Sequence, residues 1–483
     1  MFQCNSQEQT IYRSLTARIQ LGFYDGNSPF PTAQEIAAGY EVSFCPAQRA
    51  LKALENDGLI KQCRGRRTIV LRKPYENFLK SDVFQSRVSA LIDLIGALKL
   101  FSSDVCFQGL CRAENGRFPQ LDAAHPGKRL YQLFDHSIRA LGSRTIRSLY
   151  SDIGAFAQSA FQDILYEIAG VDGANRYLTQ LTQALYRSLQ DCRSHRYDTA
   201  LKGLRDMESK FFDKQVQYLN HLSFVNGAVE AECFLWEPRK GRTRYCDIIA
   251  IDLLRKINQG VCPVGTLLPN GAQLSDTYHV SEITIRRTIA LLNQLGVTKT
   301  KNGVGTYVVS LGNASVAHKI KDVMNDDNYI ASLEALQFLA ITGKTVIPIT
   351  FAYCPENALY AIARAADIRQ PHKAMVVTIG ACLQAIVHHC PFAAVREIYA
   401  KLTLSLLGGS VLQFDESGRR PAPDWAEIST ALGVSLKAKN GERFAKAFCA
   451  LAESCFFTMK RKLMEIGVEG AERVADPVCH FHE

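Results

Sequence analysis

The 483-residue sequence predicts a mainly α-helical protein with small β wings, in which one unit of about 240 residues is used twice. Apolar residues recur at helical spacing through most of the chain, while strand alternation is confined to two short hairpin regions. Those regions and the helices before them repeat at a fixed interval. Gly22, Pro31, Tyr40, Val42-Ser43, Gly58 and Gly65 recur 238 residues later as Gly260, Pro269, Tyr278, Val280-Ser281, Gly296 and Gly303, with no gap.

Each copy opens on a helix whose apolar positions are four apart: Ile11, Leu15 and Ile19, then Ile249, Leu253 and Ile257. In the second copy, Leu274, Tyr278 and Val280 line one face of a short helix and the turn after it. Ser281 stands where an N-cap is wanted, before a helix lined by Ile285, Ile289 and Leu292. The other face of that helix carries Glu282, Thr284, Arg286 and Arg287, and Leu295-Gly296 closes it. Two β runs follow, Val297 to Lys301 and Thr306 to Val309. They are joined by Asn302-Gly303-Val304-Gly305, a hairpin signal because Asn-Gly accepts the positive φ of a tight turn. Helix, turn, polar arginine-bearing helix and hairpin together make a winged helix-turn-helix, which presents one element to the DNA major groove and another beside it. The repeat makes residues 8 to 72 a second such module.

After each module the chain reads as helices. Val88, Leu91, Ile92, Leu94, Ile95 and Leu98 have helical spacing, as do Leu201, Leu204, Met207 and Phe211. Weaker self-similarity continues here: Ile146 to Tyr150 resembles Val395 to Tyr399, and Glu208 to Phe212 resembles Glu453 to Phe457. Two winged helix-turn-helix domains, 1–75 and 244–311, are therefore expected to alternate with two all-α helical domains, 80–230 and 318–470. A linker is expected at 231–243, where Trp236 to Arg242 is polar and basic, and a tail at 471–483. Glu114 to Lys128 and Phe414 to Pro423 read as loops.

The order Pro263-Val264-Gly265, Leu268-Pro269, Leu274, Val280-Ser281, Thr284-Ile285-Arg286, Leu292, Leu295-Gly296 and Gly303-Val304-Gly305-Thr306 resembles the DNA-binding domain of GntR-type bacterial transcriptional regulators. The resemblance implies that Arg286, in the family's V-S-x-x-T-[VI]-R pattern, touches DNA. Ser281 and Thr284 would serve phosphates at the helix start, and Gly303, Gly305 and Thr306 would shape the wing. Two family arginines are replaced, by Glu282 and by Ala272. Glu282 would repel phosphate, or accept from cytosine N4 if it reaches a base. In the first copy Ser43 is kept, but Phe44, Pro46 and Gln48 take the matching positions and Arg49 follows. Its wing gathers Lys61, Arg64, Gly65, Arg66 and Arg67, as a backbone or minor-groove clamp would. Pro46 is tolerable only in the first helical turn.

The formal charge of +9 permits a polyanionic partner, and a double-stranded DNA operator is the expected one. Hydrophobic residues at 47% and charged residues at 21% describe cores, not membrane spans. Ala374 to Val387 reads as a buried helix too short to span, and the N-terminus lacks a secretory pattern, so no membrane association and a cytoplasmic location are expected. The 15 cysteines are scattered without a CxxC, which favours reduced thiols over disulfides or zinc. No metal or other cofactor is expected: His388-His389 are adjacent, and His195, His221 and His372 stand alone. An enzyme is disfavoured because no nucleophile elbow, phosphate loop or carboxylate pair occurs. The expected function is a sequence-specific transcriptional regulator acting as a covalent pseudo-dimer. Its helical domains would sense a small-molecule effector or mediate assembly, with homodimerisation across chains left open. The alternative is an architectural or protein-interaction protein with one degenerate winged helix and mainly non-specific DNA contact.

Overall fold

Ile11 and Leu15 fall one turn apart on a single stripe, and in the computed structural model that stripe is the buried face of α1 (Gln7–Gln20). The structure describes residues 7–20, 24, 30–40, 42–63, 68–71, 78–113, 126–225, 231–236, 238, 245–258, 261–310, 326–368, 371–409 and 425–477. Two compact units divide the chain. One comprises 3–241, 392–397 and 475–483, and the other 1–2, 242–391 and 398–474.

In the first unit α1 packs on α3 (Phe44–Asn56), with α2 (Ala33–Gly39) between them in sequence and a hairpin of β1 (Ile60–Lys61) and β2 (Ile69–Val70) after them. Ile11, Leu15, Phe30, Ile36, Ala47, Ala50, Leu51, Leu54 and Ile60 form the core. The helical domain that follows holds α4 (Asp82–Arg112), α5 (Pro126–Ala140), α6 (Arg144–Ala157), α7 (Ala160–Arg193) and α8 (Tyr197–Val225). The long helices α4, α7 and α8 pack on one another, α5 lies on α4 and α7, and α7 bends at Gly170. Helix α6 faces the winged helix: it packs on α1, and Arg147 donates to the carbonyl of Gly39 at 3.1 Å.

The second unit repeats the arrangement locally, with α9 (Tyr245–Asn258), α10 (Gly271–Tyr278) and α11 (Glu282–Gln294), then β3 (Thr298–Lys301) and β4 (Gly305–Val308). The interval is kept by the backbone, since α11 starts at 282 and α3 at 44, and 282 − 44 = 238. Thr298 pairs with Val308 and Lys301 with Gly305 in antiparallel register, and Leu267 bridges to Tyr307 on the far side of β4. Its helical domain holds α12 (Asp326–Tyr353), α13 (Glu356–Ala366), α14 (Pro371–His389), α15 (Ala393–Gly409) from Ile398 on, α16 (Trp425–Lys437) and α17 (Gly441–Glu465). Helix α12 lies along α17 through most of its length, and α13 packs on α14 and α16. Lys401 of α15, within this unit, donates to the carbonyl of His279 at 3.3 Å, so α15 reaches the helix-turn-helix as its counterpart α6 does. The fold is mainly α with small β wings and carries two winged helix-turn-helix domains.

Four expectations change. Pro126-Gly127-Lys128 is the start of α5 and not loop, because proline suits the first turn, where its missing N–H costs nothing; 114–125 lies outside the described residues. In the expected linker, Trp236 is 1% exposed, and Glu232 is bound by its backbone N–H to the carbonyl of Ser86 at 2.9 Å. The expected tail opens with a 3₁₀ turn, Ala471–Arg473, whose Ala471 and the following Val474 are fully buried. Among the described residues one helix, α12, is long and apolar enough by length and composition to cross a membrane, and 67% of its most apolar window is buried within the fold. Its buried Asn328, Ser332, Glu334, Gln337 and Thr342 are the polar content of a core helix. The loop expected at Phe414 to Pro423 and the Gly22 to Gly260 pairing lie outside the described residues.

Candidate nucleic-acid interface

The second winged helix builds its outward face in three steps. A capping box starts α10: Asn270 Oδ1 accepts from the Gln273 N–H at 2.9 Å, and Gln273 Oε1 accepts from the Asn270 N–H at 3.0 Å. The turn passes through His279 in the left-handed region, at φ 50°. Ser281 then caps α11, its hydroxyl accepting from the Thr284 N–H at 3.4 Å and lying 3.0 Å from the Thr284 hydroxyl. Ile285, Thr288 and Leu292 turn inward to the core, which forces Glu282, Ile283, Arg286 and Arg287 outward. Thr284 is half-buried, and Thr288 donates back to its carbonyl at 3.1 Å.

On that face Arg286 and Glu282 form an ion pair one turn apart, at 3.8 Å, with side chains 77% and 57% exposed. A pair so exposed contributes about 0.3–0.5 kcal/mol, so the guanidinium can leave it for a nucleic acid at little cost. The wing stands next to it. Gly296 at φ 74° ends the helix, and Gly303 at φ 77° makes the β3–β4 turn, both conformations that a side chain would strain. Gly305 and Thr306 open β4, with Thr306 hydrogen-bonded across to Thr300 at 3.0 Å. Lys299 and Lys301 are exposed on β3. They are additional cations of this face, and the signal for Lys299 is the repeat itself, since it matches Lys61 of the basic first wing.

The first winged helix keeps the scaffold and changes the face. Its capping box uses different residues, Thr32 and Glu35, at 3.2 and 2.8 Å. Ser43 is exposed at the N-cap of α3 but makes no side-chain cap bond. Pro46 lies in the first turn, where it is tolerated. Phe44, 46% exposed, takes the place of Glu282; Cys45, Gln48, Arg49 and Lys52 are exposed beside it. Lys61 is exposed on β1, while Arg64, Gly65, Arg66 and Arg67 lie outside the described residues.

A helix-turn-helix with an adjoining hairpin and an arginine-bearing outer helix is the architecture of a DNA-binding domain. Residues 7–70 and 247–308 each match the model of the bacterial regulatory proteins, gntR family. Both winged helix-turn-helix domains of this chain therefore belong to the gntR family. Solved structures similar to the chain include Streptococcus agalactiae GntR, at 16% identity and TM-score 0.22, covering 44% of this chain and 99% of that one. Another is E. coli McbR/YncC, at 16% identity and TM-score 0.20, covering 46% of this chain and 98% of that one. No curated protein matches the sequence. The family matches carry the assignment.

Proposed function

We propose that the chain is a sequence-specific transcriptional regulator in which two nonidentical DNA readers share one polypeptide. The observation that supports this most directly is the outer face of α11. There Arg286, Arg287 and Glu282 stand exposed beside wing lysines in a gntR-family domain. Arg286 would read a base edge, with Glu282 setting its direction or accepting from cytosine, while Ser281, Thr284, Lys299 and Lys301 hold phosphates. On α3, Gln48 and Arg49 take the reading positions, and Arg64, Arg66 and Arg67 of the first wing clamp the backbone. A homodimer imposes its symmetry on its half-sites; two different readers in one chain remove that requirement, so the operator need not be palindromic.

The helical domains are proposed to sense a small molecule or to mediate assembly, including homodimerisation. Their contact with the readers supports this role: α6 reaches Gly39, and α15 reaches His279, each beside the turn before a recognition helix. An effector would change DNA affinity only by the difference in its affinity for two arrangements of these contacts. The reaction partner is DNA in the cytoplasm, and no catalytic step is proposed.

A specific observation favours a second reading. Phe44, Cys45 and Pro46 give α3 an apolar start, as in a module that contributes non-specific DNA contact or binds protein. One experiment separates the two. Binding of the purified chain to DNA flanking its own gene and to random duplex is measured across salt concentrations, for the native protein and for Arg286→Ala, Gln48→Ala and Arg66→Ala. The regulator reading expects preference for the flanking DNA, lost in Arg286→Ala by about 10-fold or more and reduced in Gln48→Ala. Arg66→Ala should weaken both DNAs alike and lower the salt slope by about one unit. Preference that Gln48→Ala leaves untouched supports the second reading, and preference that Arg286→Ala leaves untouched refutes the site.

A further inference from the structure

The Sγ atoms of Cys111 and Cys192 lie 3.5 Å apart in the first helical domain, joined by a hydrogen bond in which the Cys111 thiol donates. Each is the next-to-last residue of its helix, Cys111 of α4 and Cys192 of α7, where backbone constraint is weakest. Cys192 is 4% exposed within a core of Phe107, Leu110, Leu189 and Leu204, whereas Cys111 keeps a partly open side. We propose that Cys111 and Cys192 are a redox-active thiol pair that closes to a disulfide on exposure to peroxide. It would tie the end of α4 to the end of α7.

Both sulfurs are held together before any oxidation, so the step needs a closure of about 1.5 Å to reach a bond of ~2.05 Å, with no unfolding to bring distant partners together. The hydrogen bond also sorts their roles. Accepting the Cys111 proton lowers the Cys192 thiol from its ordinary value against the opposing effect of burial, and donating it raises Cys111. The thiolate is the form that reacts with peroxide, and the acceptor Cys192 is given that part in the proposed step; exchange of the two roles gives the same disulfide. By contrast, burial pushes the neighbouring Cys106 up to about 12, and its sulfur is within 3.5 Å of the Ser137 hydroxyl.

The chemistry balances with hydrogen peroxide as the oxidant. The Cys192 thiolate attacks one peroxide oxygen, the O–O bond breaks and hydroxide leaves, giving a sulfenic acid. The Cys111 sulfur then attacks the Cys192 sulfur, the S–O bond breaks, and the Cys111 proton leaves with the oxygen as water. Two thiols are oxidised, one peroxide is reduced, and two waters form once the hydroxide takes up the proton that Cys192 gave to solvent. The second unit has Ile349 at the position 238 after Cys111, so the device belongs to one half of the molecule.

The test uses the full chain at two protein concentrations, treated with hydrogen peroxide, blocked with N-ethylmaleimide, digested without reduction and mapped by mass spectrometry. The expected result is a peptide pair linking Cys111 to Cys192, ~2 Da lighter than the sum of its free peptides, independent of protein concentration and reversed by dithiothreitol. Oxidation should also raise the thermal midpoint of the native chain by several degrees, because the closed loop spans α5, α6 and α7. Cys111→Ser should abolish both effects, and Cys233→Ser, at an exposed cysteine away from the pair, should leave both unchanged. Recovery of Cys111 and Cys192 as separate maleimide adducts after other cysteines have oxidised would overturn the proposal, as would their appearance in other linkages. The mapping on native protein decides the matter even if Cys111→Ser does not fold.

Discussion

Glu208 shows how one carboxylate ties the first helical domain to pH. It sits on α8 against α4, hydrogen-bonded by the Ser103 hydroxyl and close to Ser102, and its surroundings also include Asp104, Cys106 and Tyr150. Loss of water raises it from the ordinary carboxylate value to about 7, Asp104 adds to the rise, and the two serines oppose it; Arg205 holds Asp104 at 3.0 Å. A carboxylate whose folded value lies above its unfolded one stabilises the fold fully below the unfolded value, and that stabilisation is lost as pH rises through about 7. Glu208→Gln, with similar shape and no charge, should therefore flatten the fall in thermal midpoint between about pH 5 and pH 8. An unchanged slope in calorimetry would remove Glu208 as its source. Arg87 is the other decisive single residue. It is 2% exposed, bound to Glu232 through Nε at 2.8 Å and Nη2 at 3.1 Å and to the Phe156 carbonyl through Nη1 at 2.7 Å. Glu232 also reaches Arg13 of α1 at 3.6 Å. Glu232→Ala leaves the buried guanidinium uncompensated and should cost on the order of 2 kcal/mol in denaturant titration. That is below the ~3–5 kcal/mol of a fully buried pair, because Glu232 is 34% exposed.

The helices show what can be read from sequence and what needs the packing. Thr32-x-x-Glu35 and Asn270-x-x-Gln273 are capping boxes at matching places, spelled with different residues. Replacing either cap, Thr32→Ala or Asn270→Ala, should cost about 1 kcal/mol by chemical denaturation. Each loss should appear in proteolysis of its own winged helix and not of the other. The recognition helices were legible, since Ser281, the Ile285-Leu292 stripe and Gly296 mark the start, inner face and end of α11 where the structure has them. Helix α12 was not. It is buried on every side from Asn328 to Gly343, polar residues included, and a helix without an exposed face has no periodicity to announce itself. Trp236 was misleading for the opposite reason: a lone aromatic among Pro238, Arg239, Lys240 and Arg242 reads as linker until the surface that buries it is known. Of the interface, the position of Arg286 followed from spacing, whereas Glu282's pairing with it and the half-burial of Thr284 depended on side-chain geometry.

The two DNA-binding domains share a scaffold to the residue and differ where DNA would lie, with Phe44 against Glu282 and Gln48 against Arg286. A protected footprint should therefore contain two unlike half-sites. Inverting one half-site should not be equivalent to inverting the other, which binding to the four arrangements would reveal; four equal affinities would contradict the assignment of distinct readers. Having both domains on one polypeptide also changes how the molecule answers to its own abundance. Separate subunits must first meet, so their pairing fades as the square of concentration when a cell holds only a few copies. Here the second domain is always within tether's reach of the first, at an effective concentration fixed by the chain and not by expression level. If one chain supplies both readers, titration of DNA by this protein should stay first order down to the lowest concentrations, whereas a steeper dependence would place the pairing between chains; in the first case a cell could keep such a regulator at a handful of copies without losing half of its readout to dissociation.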